Sequence, residues 1–120
     1  MKLRIQGNSI RVRLTQTEVN QLGEGIDCIS HLDFPNSSSL NYRLSVATVL
    51  GCKFSDNLIT ISLPETEVRG WATSDHVGIE GDLTLENGDK LSILVEKDFK
   101  CLTERAEDES DLFPNPKESH

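Results

Sequence analysis

The chain has 120 residues, of which 36% are hydrophobic, 5% aromatic and 27% charged, enough for one domain with a single core. That balance excludes a collagen-like, fully disordered or disulfide-scaffold protein. Twenty acidic residues against twelve basic ones give a net charge of −8, so the molecule as a whole repels nucleic acid and anionic membrane, and any such binding would need a local basic patch.

Alternation of apolar and polar residues dominates from the start, as expected of strands whose side chains point to opposite faces in turn. Leu3 and Ile5 alternate with Lys2 and Arg4, and Ile10, Val12 and Leu14 alternate with Arg11 and Arg13. Gly7-Asn8 between them predicts a tight hairpin turn. A short helix follows over 15–22, with Thr15 as its cap, Glu18 three residues on, Val19 and Leu22 on one face, and Gly23 as its stop. Residues 31–39, rich in Pro, Asn and Ser, read as a surface connection. Leu40, Tyr42, Leu44 and Val46 then mark a half-buried strand, as do Ile59, Ile61 and Leu63. A second short helix is predicted over 63–72, with Pro64 in its first turn and Val68 and Trp71 facing the core. The last pair of strands, 77–85 and 90–96, flanks Asn87-Gly88, a strong hairpin signal.

These segments contain a register-matched repeat. At an offset of 49, Asn8, Ile10, Leu14, Thr17, Glu18 and Val19 fall on Asn57, Ile59, Leu63, Thr66, Glu67 and Val68, while Val12 meets Ile61 and Leu22 meets Trp71. The expected fold is therefore a β-rich α+β domain of seven or eight strands and two short helices. Its two pseudo-symmetric strand-turn-strand-helix-strand halves, 1–49 and 50–103, would form one mostly antiparallel barrel or sandwich. Residues 104–120 form an acidic tail, in which six carboxylates stand against Arg105 and Lys117. Leu112 and Phe113 within it are candidates to dock on the domain, because an apolar pair in an acidic run gains by leaving water.

The strongest candidate site is the polar face of the first hairpin. Lys2, Arg4, Arg11 and Arg13 project from one side of it, placing four of the twelve bases on a small surface where like charges repel across strands. Two readings follow. Either the tail or neighbouring carboxylates neutralise them, or they bind a phosphate-bearing ligand or an acidic protein segment, since guanidinium forks suit phosphate and carboxylate.

Other chemistry is sparse. Glu96 and Asp98 share a strand face and are the weak candidates for a metal, with Glu80 and Asp82 arranged likewise on the strand before. Cys28 and His31, three apart on an expected strand, face opposite sides and do not suit zinc. The odd, widely spaced set Cys28, Cys52 and Cys101 reads as free thiols in a reducing compartment. Ser74-Asp75-His76 is too tightly contiguous to adopt triad geometry. With no leader-like apolar segment and no run of about 18 apolar residues, a cytoplasmic protein without membrane association is expected.

Over nearly its whole length the chain resembles a family of small uncharacterised bacterial proteins, through MKLRIQGNSIRVRLTQTEV, WATSDHVGIEG and LSILVEKDFKCLTERAEDESDLFPNP. That resemblance implies no activity, and it makes the tail part of the protein's design. GNSIRVRLTQTEVNQLGEG (7–25) is similar to the swapped-hairpin DNA-binding domains of bacterial transition-state regulators and antitoxins, which would give Arg4, Arg11 and Arg13 a role on DNA. In element order alone, the chain is similar to triphosphate-tunnel barrels, whose inward bases hold polyphosphate beside a metal.

The sequence thus leads to a non-catalytic binding or interaction protein with a basic hairpin face for an anionic ligand or acidic partner, no cofactor, and homodimerisation left open. The alternatives are a nucleic-acid-binding or antitoxin-like regulator, disfavoured by net charge, and a metal-dependent phosphohydrolase of the triphosphate-tunnel type.

Overall fold

A computed structural model describes residues 1–98. Within these described residues, eight strands and two helices follow in the order β1 (Lys2–Gln6), β2 (Ser9–Leu14), α1 (Gln16–Gly23), β3 (Cys28–Asp33), β4 (Ser39–Ala47), β5 (Gly51–Ser55), β6 (Leu58–Pro64), α2 (Glu65–Ala72), β7 (Gly78–Thr84) and β8 (Lys90–Lys97). The fold is α+β and strand-rich.

The strands form two four-stranded sheets, β1-β2-β8-β7 and β3-β4-β6-β5. Every sequential hairpin is antiparallel, whereas the central pairs, β2 with β8 and β4 with β6, are parallel. Each sheet is therefore mixed and takes one hairpin from the first half of the chain and one from the second. The expected barrel is corrected by this pairing: among the described residues β1 and β7 end one sheet, β3 and β5 end the other, and the two sheets do not close on each other. The parallel pairs join strands more than 80 or about 17 residues apart in register, such as Val12 beside Val95 and Leu44 beside Ile61. Turn chemistry reports only on sequential neighbours, so it is silent about them.

Alternation places one face of each sheet inward. Val12, Leu14, Ile93 and Val95 from one sheet and Leu44, Ile61 and Leu63 from the other are almost fully buried. The two helices pack on each other and add Val19, Leu22, Val68 and Trp71 to the same core. Trp71 keeps its indole donor satisfied by donating from Nε1 to the Val77 carbonyl at 3.0 Å, as a buried Trp requires.

Local chemistry sets the helix ends. At α1, Thr15 and Glu18 form a reciprocal capping box. At α2, Pro64 occupies the N-cap position and is the last residue of β6, so the helix begins two residues later than the expected 63, and Leu63 is a strand residue facing the core. The predicted connection over 31–39 also shortens. Residues 31–33 extend β3, paired through His31 to Asn41 and Asp33 to Ser39, and the turn proper holds Ser37 at φ 68. β5 carries no clear alternation; its turn into β6 uses Asp56 and Asn57, both at positive φ, the conformation a two-residue hairpin of primed type demands.

Candidate functional site on the outer face of the first sheet

Period-two alternation sends Lys2 and Arg4 of β1 and Arg11 and Arg13 of β2 to the solvent side of the first sheet. The hairpin register sets Lys2 opposite Arg13 and Arg4 opposite Arg11, so all four bases share one surface, as the sequence anticipates.

What they meet there comes from β8. In the parallel register Arg13 lies beside Glu96, and the Glu96 carboxylate accepts from both neighbouring guanidinium groups through a single oxygen, Oε2, at 2.6 Å from Arg11 Nε and 3.1 Å from Arg13 Nε. Glu96 is only 9% exposed. Burial pushes its carboxyl up, but the hydrogen bonds and charges of Arg11 and Arg13 outweigh it and hold the group below the usual carboxylate range. One residue past β8, Asp98 pairs with Lys2 Nζ at 3.1 Å. The two acids considered as metal ligands thus serve as counter-ions to the hairpin bases, and no group of three or more potential ligand residues suited to a metal forms among the described residues.

Arg4 differs from the other three. Among the described residues it forms no ion pair, and it lies on an edge strand, exposed to solvent. It borders a groove of about 510 Å³ on this face, lined also by Arg11, Gln6, Ser92, Glu80 and Asp82. The groove is bipolar, with guanidinium groups on the β1–β2 side and carboxylates on β7. Ser92 donates to Asp82 at 2.9 Å, fixing one carboxylate against the floor.

The remaining sequence candidates separate. Cys28 is buried and His31 exposed, on opposite sides of β3, and His31 stands 3.6 Å from Asp33. Cys28 and Cys52 are free thiols. Cys101, Leu112 and Phe113, and with them the tail docking, lie outside the described residues. Glu96 as a clamp on two arginines escapes a reading of the sequence because its partners are 83 and 85 positions away. The available signal was its place in a strand with the same alternation as β2.

No helix among the described residues is long and apolar enough to cross a membrane. No curated protein and no solved structure matches the chain. A family model described as a family of unknown function (DUF7009) matches residues 1–117, near the full length, and the chain belongs to that family.

Proposed function

We propose that this protein is a non-catalytic binding module that presents the groove on its first sheet to an anionic ligand, either phosphate-bearing or an acidic protein segment. Arg4 carries the reading. It faces Arg11 across the hairpin, at the rim of the groove, without an ion-pair partner among the described residues, while the other three bases are each held by a carboxylate. A cation so placed costs little to leave solvated, and, unlike the other three, it has no counter-ion among the described residues for an incoming anion to displace. Glu96 keeps Arg11 and Arg13 oriented without cancelling both charges, since one carboxylate serves two guanidinium groups. Two separate sheets, rather than a closed barrel, favour a surface site over a tunnel.

The registers also support duplication of the two halves. Val12 of β2 pairs with Val95, and Ile61 of β6, 49 positions later, pairs in the same parallel sense with Leu44.

Thermal shift of the full chain at low salt against pyrophosphate, nucleoside triphosphates and an oligoglutamate peptide tests the reading. A ligand at a hundred times its Kd adds about 2.7 kcal/mol of stability, and Arg4→Glu should abolish the shift. A panel without any stabiliser, or an Arg4→Glu variant that responds like the parent, overturns it. Duplex DNA in the same panel decides the regulator alternative, through a linear fall of log affinity with log salt.

A further inference from the structure

The outer face of the second sheet contains a different arrangement of charge. In one row across its strands lie Ile29, Arg43, Thr60 and Lys53, on β3, β4, β6 and β5. Arg43 and Lys53 therefore flank Thr60, their Cα atoms two strand spacings apart, about 9.5 Å. Thr60 is one of two buried polar or charged residues among those described. The row borders a groove of about 400 Å³ lined also by Asn41, Leu58 and Asp56.

On the first sheet, the guanidinium groups of the interior strand β2 are locked by Glu96. Here the interior strand's arginine lacks that lock. Arg43 Nε is buried and without a hydrogen-bond partner among the described residues. The Asp27 carboxylate stands 4.0 Å from it, close enough to attract but beyond hydrogen-bond reach. A buried donor left unmade is costly; Nε itself is shielded from the groove, which is met by the remainder of a side chain that stays 35% exposed. Lys53, across the groove, makes no ion pair among the described residues.

We infer that this groove is a second binding site, independent of the first sheet, for a small organic monocarboxylate. The planar guanidinium and the ammonium on either side of Thr60 suit a carboxylate bound between them, and the Asn41 side chain adds a polar wall. Asp56 in the lining and Asp27, 4.0 Å from Arg43, leave the site close to neutral, which disfavours a dianion such as phosphate and admits a single charge. Ile29, 65% exposed, and Leu58, both lining the groove, offer apolar surface to the body of the acid.

The test is an amide NMR titration of the full chain with benzoate, with benzamide as the neutral isostere and inorganic phosphate as the dianion. Saturable shifts clustered on Ile29, Asn41, Arg43, Lys53 and Thr60, with a Kd of about 1 mM, are expected for benzoate. Benzamide should bind at least about tenfold more weakly, and Arg43→Gln and Lys53→Gln should each weaken benzoate by about tenfold. Lys53 is exposed, so its variant remains folded if Arg43→Gln does not. Arg4→Glu should leave these shifts untouched, which separates this site from the groove on the first sheet. No saturable shift at these residues up to about 20 mM benzoate, equal binding of benzamide, tighter binding of phosphate, or an unaltered Lys53→Gln variant would each overturn the inference.

Discussion

Arg11 and Glu96 meet at 2.6 Å although 85 positions separate them in the chain, and their contact exists only because β2 and β8 run parallel side by side. Since Arg13 shares the same carboxylate oxygen, removing Glu96 leaves two adjacent guanidinium groups without their acceptor. Glu96→Gln keeps the shape and loses the charge. It should cost about 1–3 kcal/mol, seen as a lower urea midpoint at unchanged slope. Arg13→Gln, which spares the shorter Arg11 contact, should cost less. Equal stability of Glu96→Gln and the parent would show that the cluster does not support the fold.

The same carboxyl makes stability depend on acid. Burial raises its proton affinity, but Arg11 and Arg13 more than compensate, so its folded value lies below the ordinary 4.5. A carboxyl depressed in the folded state contributes stability that is complete above its unfolded value and disappears as pH falls through the folded one. The stability difference between the parent and Glu96→Gln, measured by urea unfolding, should therefore be full at pH 7 and shrink below about pH 4.5. A difference that stays constant across that range would assign the loss to packing instead.

The hairpins, the capping box at Thr15, the burial of Trp71 and the basic face were legible because each depends on neighbours in sequence. Gly7-Asn8 and Asn87-Gly88 fix turns locally, and alternation alone sets Lys2, Arg4, Arg11 and Arg13 on one side. The partners of those bases were not legible. Whether Glu96 faces a metal, water or Arg11 depends on which strand lies beside β8, and a parallel neighbour leaves no turn signature. The second-sheet row escaped for the same reason. Arg43 and Lys53 lie on strands joined only through β6, and Lys53 belongs to a strand whose exposed Phe54 and half-buried Cys52 blur the alternation.

Thiol reactivity offers a check on the core. Burial pushes the Cys28 thiol up, and the Glu18 carboxylate pushes it further; burial alone raises Cys52. Both should be poor thiolates at neutral pH. In a Cys101→Ala background, a disulfide reagent should label the two slowly in the native state and rapidly in denaturant, with Cys28 the slower because it is the more deeply enclosed. Immediate labelling of Cys28 under native conditions would contradict the packing of α1 over β3.

Two glycines in β7 meet different neighbours, one the adjacent strand of its own sheet and the other the opposite layer, and they should behave differently. A Cβ at Gly78 would lie 2.7 Å from the Val95 carbonyl oxygen and 3.0 Å from Glu96 Cβ. Neither neighbour can yield without moving the β7–β8 ladder, and the same shift would disturb the carboxylate that holds Arg11 and Arg13. At Gly81 the added carbon meets only Leu50 Cδ2, at 2.6 Å, the far end of a half-buried side chain that can adopt another rotamer. Gly78→Ala should thus cost more than about 2 kcal/mol, and Gly81→Ala about 1 kcal/mol or less. The second cost should vanish in a Leu50→Ala background, giving a coupling energy of about 1 kcal/mol in a double-mutant cycle. The cycle also tests the layering itself, since Leu50 precedes β5 of the second sheet while Gly81 belongs to the first. Additive Gly81 and Leu50 substitutions would mean that the two sheets do not meet at this point.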